Sequence, residues 1–168
     1  MTGIPADKAR RRIAVVKALA VPVTAARIRT PVLAAADLPE VQARLPEQEW
    51  ELAIRVAGDR ELRRLNRRYL SDDQATDVLS FASGDSAGPH LGDIVISWPA
   101  VRRQAQEFGH DELAEVGLLV VHGFLHLLGW DHATPTEERE MNRLTLAALD
   151  RVGVWPARGR LLESGPAG

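Results

Sequence analysis

Three histidines fall within eleven residues, in the run His122-Gly-Phe-Leu-His126-Leu-Leu-Gly129-Trp-Asp131-His132. On a helix, His122 and His126 lie one turn apart on the same face. Both imidazoles can then reach one ion at the roughly 2.0–2.1 Å that zinc requires. The next turn of that helix cannot complete a tetrahedron, so the chain must turn back. Gly129 permits this, because glycine accepts the positive φ of a helix C-terminus. His132 follows three residues later and can swing over the first two. The pattern predicts one Zn2+ per chain on His122, His126 and His132. Three protein ligands leave a fourth position open, as in catalytic rather than structural zinc sites. Asp131 can orient a ligand histidine or act as a base, and it reads equally as a plain loop carboxylate. His90 and His110 read as surface residues.

The elements that must position this run follow from periodicity and punctuation. Asp111 caps a long helix that runs through Leu128 and ends at Gly129. The last helix spans Thr136 to Val152, and Thr134-x-x-Glu137 fits a capping box. Pro99 suits the first turn of a helix ending at Phe108, with Gly109 behind it. Upstream, Ala34 to Leu45 reads as a helix, and Arg60 to Tyr69 as another after the turn at Gly58-Asp59. Leu62, Leu65 and Tyr69 share its apolar face. At least one strand falls in residues 13–30, and Glu51–Val56, Asp77–Phe81 and Leu91–Ser97 read as further strands. Ser71 to Ala75 and Ser83 to Pro89 read as loops. Early strands and late helices predict an α+β fold, a mixed sheet of about four strands with about five packed helices. The chain reads as a single domain over residues 1–168, ordered from about 11 to 160, with mobile ends up to Arg10 and from Leu161.

Composition bounds the chemistry. With no cysteine, thiolate sites and disulfides are excluded, and any metal must be held by His, Asp or Glu. The absence of cysteine also fits a reducing compartment. Net charge is -2, which argues against general electrostatic coating of nucleic acid. Of the 21 basic residues only Lys8 and Lys17 are lysines. Arginine suits bidentate phosphate contact, but a compositional bias explains the count as well. Arg60, Arg63, Arg64, Arg67 and Arg68 make one helix strongly basic, either a phosphate-tracking face or a solvated one. No clean signal-peptide core follows Arg10-Arg11-Arg12, since Lys17 and Pro22 interrupt it. The apolar segment Val116 to Trp130 is shorter than the roughly 20 residues a membrane span needs.

The spacing H-x-x-x-H-x-x-G-x-x-H is that of the metzincin proteases, so the zinc helix is expected to be metzincin-like. One position differs. Those enzymes carry a glutamate after the first histidine as general base, and this chain has Gly123 there. That loss removes the key residue of a protease. Gly123 either admits a substrate or backbone near the metal or serves helix packing.

The run from His122 to His132 resembles the signature H-G-x-L-H-L-x-G-x-D-H of the bacterial YbeY family, endoribonucleases and rRNA maturation factors. A second matching block precedes it: Leu65-Asn66 and Tyr69, then Thr76-Asp77-Val78-Leu79-Ser80-Phe81, then Leu91-Gly92-Asp93-Ile94-Val95-Ile96-Ser97. The resemblance covers about Glu51 to Val152. It implies a cytoplasmic, zinc-dependent, single-strand-specific endoribonuclease acting in 16S rRNA 3′-end maturation and ribosome quality control. It also implies as partners rRNA, the small ribosomal subunit, a small-subunit ribosomal protein and an assembly GTPase, with no membrane. The alternatives are a non-catalytic zinc-stabilised assembly factor and a zinc hydrolase of peptides or amides. Two positions depart from the family. Its arginine after the tyrosine, which faces the metal cleft, is Leu70 here, and its proline after Ser-Phe is Ala82. Arg68 is the expected substitute for binding substrate if the helix end unwinds, and Asp131 is the expected catalytic residue.

Overall fold

The computed structural model describes residues 10–70, 77–84, 88–157 and 159–162. Among these, β1 (Arg10–Lys17), β2 (Glu49–Ala57), β3 (Val78–Ala82) and β4 (His90–Ser97) form one sheet in the order β1-β2-β4-β3. β1, β2 and β4 are parallel, and β3 runs antiparallel to β4. Five long helices accompany it: α1 (Ala25–Ala36), α3 (Asp59–Leu70), α4 (Trp98–Phe108), α5 (Glu112–Leu127) and α6 (Pro135–Arg151). Two single turns, α2 (Pro39–Gln42) and α7 (Gly159–Leu162), complete the described elements. This is the α+β arrangement that the order of elements predicts.

The sheet separates two apolar layers because strand side chains alternate. Trp50, Leu52, Ile54 and Val56 of β2, with Ile94 and Ile96 of β4, enter the main core with Val120, Val121 and Phe124 of α5. Val95 and Leu79 point the other way, into a smaller cluster with Leu62. α5 therefore covers one sheet face and α3 the other. Nearly every residue of α5 from Ala114 to Leu125 is buried, which makes it the central helix. Asp111 caps it by accepting from the Ala114 N–H at 2.8 Å.

The first fifty residues differ most from expectation. No helix spans Ala34 to Leu45. α1 ends at Ala36, and Pro39 opens the separate turn α2. Thr24 caps α1 by accepting from the Arg27 N–H at 3.3 Å. Pro31 sits inside α1, which obscures the helix in the sequence. Gly117 of α5 lies between α1 and α6: a Cβ there would crowd Leu149 Cδ2 at 2.9 Å and meet Pro31 Cγ in ordinary contact at 3.6 Å. The expected mobile ends lie outside the described residues except at their inner edges. Arg10 already pairs with Glu49 in the sheet, and Leu161 is buried in α7. The loop expected at Ser71 to Ala75 lies outside the described residues. No described helix is long and apolar enough to cross a membrane.

Candidate metal centre

α5 ends in a Schellman motif. The Gly129 N–H bonds the His126 carbonyl at 3.0 Å, and the Trp130 N–H bonds that of Leu125 at 3.1 Å. Gly129 takes φ 97°, which any side chain would oppose. Arg44 clamps the turn from outside. Its Nη1 donates to the Leu128 carbonyl at 3.2 Å, and its guanidinium lies 3.7 Å from the Trp130 ring centroid. The chain thereby reverses, and His132 comes back against His126, ring centroids 4.9 Å apart at 73°.

A cavity of about 630 Å³ opens between β3, α5, α6 and α7, and His122, His126 and His132 all line it. A larger depression of about 930 Å³ near Thr24, Arg102 and Asp111 contains none of the three. The donor atoms of His126, Asp131 and His132 lie within 4.8 Å of one another. Donors that share one centre at about 2.0–2.2 Å are at most about 4.4 Å apart, so small side-chain rotations close the set. The Asp131 carboxylate thus stands among the candidate ligands. Its Oδ1 also accepts from the His132 N–H at 2.7 Å, which fixes the local turn.

His122 is not part of that tight group but faces the same cavity from one turn deeper. Its Nε2 is buried and has no hydrogen-bond partner among the described residues. A buried ring nitrogen left unpaired is destabilising unless something else fills its lone pair. Burial, then the positive charge of protonated His126, of Arg160 and of protonated His132, pushes the His122 pKa down to about 4, against a hydrogen bond with the Asn142 side chain that works the other way. Burial and His132 also lower that of His126. His122 is therefore neutral at physiological pH, with a free lone pair, as a metal ligand must be. An orphaned imidazole nitrogen beside a His-Asp-His group is a donor set that fits a borderline cation such as zinc.

Gly123 turns out to serve packing. A Cβ on it would meet Ile94 Cγ2 and Ser80 Oγ at 3.0 Å, and the Ser80 hydroxyl donates to the Gly123 carbonyl at 3.3 Å. The glycine faces the sheet, so its neighbours are β3 and β4. A glutamate at this position would be directed into Ile94.

Arg68 does not line the cavity. It is exposed near the end of α3, on the other face of the sheet, with its guanidinium 5.4 Å from the Tyr69 ring. Tyr69 is 57% exposed and meets Phe81 edge-on at 5.5 Å, so it leaves the apolar face assigned to it. Among the described residues, the arginine that does line the cavity is Arg160 of α7. Sequence reading misses it because it follows the last recognisable helix in a Gly/Pro-rich stretch. His110 is also misread as a surface residue. Its side chain is 5% exposed, and Nε2 sits 2.8 Å from Oε1 of the fully buried Glu115.

The family described as Endoribonuclease YbeY matches residues 20–153. This chain belongs to the YbeY family. An Endoribonuclease YbeY of Brevibacillus brevis is 40% identical over 131 residues, covering 68% of this chain and 82% of the relative. One from a Picosynechococcus species is 45% identical over 122 residues, covering 67% and 74%. The solution structure of TM1509 from Thermotoga maritima superposes with a TM-score of 0.57 at 18% identity, covering 94% of this chain and 99% of that one. That likeness shows the fold. YbeY membership agrees with both sequence blocks, and the match takes in α1, which the sequence resemblance left out.

Proposed function

We propose that this chain is a zinc-dependent endoribonuclease that cuts single-stranded RNA in the histidine cavity and acts in 16S rRNA 3′-end maturation. The observation that carries this reading is the buried, unpartnered Nε2 of His122 opening on a cavity that His126 and His132 also line. YbeY membership supports RNA as the substrate class. His122, His126 and His132 would hold one zinc ion, with Asp131 close enough to join them. Zinc, when bound, supplies a Lewis acid for a phosphoryl oxygen and brings water's ionisation near neutral pH.

The protein's own residues do the rest. Burial keeps His122 deprotonated, and the Schellman turn carries His132 to the cavity with the Asp131 carboxylate beside it. Asp131, with its carboxylate 60% exposed, would orient a ligand histidine or serve as a base toward water. Arg68 and the other arginines of α3 would track RNA outside the cavity, across the edge of β3. The absence of a carboxylate at position 123 counts against peptide hydrolysis. The working place assigned is the cytoplasm, on the small ribosomal subunit, with a small-subunit ribosomal protein and an assembly GTPase as partners.

Metal analysis of the purified protein should find about one zinc per chain, and His126→Ala should lose most of it together with RNA cleavage. Casein should be untouched. Full zinc occupancy in His126→Ala would overturn the site, and metal-dependent casein cleavage without effect on RNA would overturn the substrate class.

A further inference from the structure

The cleft's cation comes from the end of the described chain. Arg160 has five N–H donors in a rigid fork. Its Nε donates to Glu115 Oε1 at 3.2 Å, and its Nη2 donates to Glu115 Oε2 at 2.9 Å and to Gln104 Oε1 at 2.6 Å. Nη1, with two N–H groups, has no partner among the described residues. The side chain is 15% exposed, and Arg160 is the one arginine among the described residues lining the histidine cavity.

Glu115 is itself held. The Ala157 N–H donates to His110 Nδ1 at 2.7 Å, which places the His110 proton on Nε2, facing Glu115 Oε1 at 2.8 Å. Glu115 thus takes donors from His110 and twice from Arg160, all away from water. Asn142 Nδ2 donates to the Leu161 carbonyl at 3.2 Å and pins the next residue of α7 to α6. Such a lattice fixes the guanidinium before any ligand arrives, which lowers the ordering cost of binding. Its charge reaches His122, where it helps hold the imidazole neutral.

We propose that Arg160 binds the scissile phosphodiester in the histidine cleft through Nη1, anchored on its other edge by Glu115 and Gln104. It supplies there the positive charge that Leu70 does not. The proposal rests on the endoribonuclease reading for the identity of the ligand, but its test does not depend on cleavage. Arg68, exposed across the sheet, has no comparable anchor among the described residues.

Binding is read on the metal-free full-length protein with a fluorescein-labelled single-stranded oligouridylate, by anisotropy over a range of salt. Arg160→Gln should weaken binding about tenfold, the loss of one charge-assisted hydrogen bond. It should also reduce the slope of log affinity against log salt by about 0.7. Arg160→Lys, which keeps the charge, should keep the slope. A purely structural α7 anchor would leave the slope unchanged in both variants, and that result overturns the proposal, as does a wild-type chain that does not bind the probe. Wild-type protein labelled with 15N gives a reading free of folding defects: the Arg160 Nε resonance must move as oligouridylate is added, and a stationary resonance overturns the proposal. Cleavage by the zinc-loaded protein is scored separately. Arg160-dependent binding without any cleavage would refute the nuclease reading while leaving the phosphate site in place.

Discussion

Replacing His122 with leucine should make the metal-free protein more stable while destroying its metal site. The Nε2 of His122 is buried without a partner, and an unsatisfied buried polar group costs about 1–3 kcal/mol. Leucine has a similar volume, and the adjoining cavity relieves overpacking. The expected gain is about 1–2 kcal/mol, or roughly 3–7 °C in Tm for a domain of this size. The effect should grow in acid. The folded-state pKa of His122 is about 4, below its ordinary 6.5. Between these values the unfolded chain binds a proton that the folded chain refuses, so stability is full above pH 6.5 and falls as pH drops toward 4. A difference of that size corresponds to about 3 kcal/mol. His122→Leu has no such proton and should lose that part of the acid sensitivity. Urea denaturation of both metal-free proteins at pH 7.5 and pH 4.5 measures this, with zinc titration alongside. If His122→Leu is less stable at both pH values, Nε2 is satisfied in solution and the histidine is structural.

Three further outcomes are expected. Arg44→Ala should destabilise the chain by about 1 kcal/mol through loss of the Trp130 contact and the Leu128 carbonyl bond, and should weaken zinc binding by loosening the turn before His132. Equal zinc affinity by competition titration would separate the clamp from the site. Gly92→Ala should unfold the protein or cost more than about 2 kcal/mol, since φ is 149° and a Cβ would run into the Phe81 carbonyl; wild-type Tm would contradict this. Gly123→Ala gains about 1 kcal/mol of helix propensity but pushes on Ile94 and Ser80 at 3.0 Å, so thermal melting should show net destabilisation with zinc content unchanged.

The late half of the chain was legible because its signals are local. Asp111, Gly129 and Thr134 are caps whose chemistry acts within a turn, and α5 and α6 begin and end within a residue or two of where those residues place them. The histidine spacing carried the cavity in the same way. Arg160, Glu115 and His110 were not legible, because what joins them is tertiary and no periodicity marks a tail that folds back. Asp131 was read as an orienting group or base and lies among the donors, a difference of a side-chain rotation that spacing does not encode. α1 is hard to read in the sequence because Pro31 sits inside it and interrupts the helical pattern.

The wall that α7 contributes to the cleft has a consequence for the order of synthesis. The three histidines emerge from the ribosome before Ala157, Arg160 and Leu161 do. α5 and its turn thus leave the tunnel ahead of the guanidinium that is proposed to hold RNA. If Arg160 holds the RNA phosphate as proposed, the cleft is complete only once this last described turn docks, a built-in delay for an enzyme made beside the RNA it is proposed to cut.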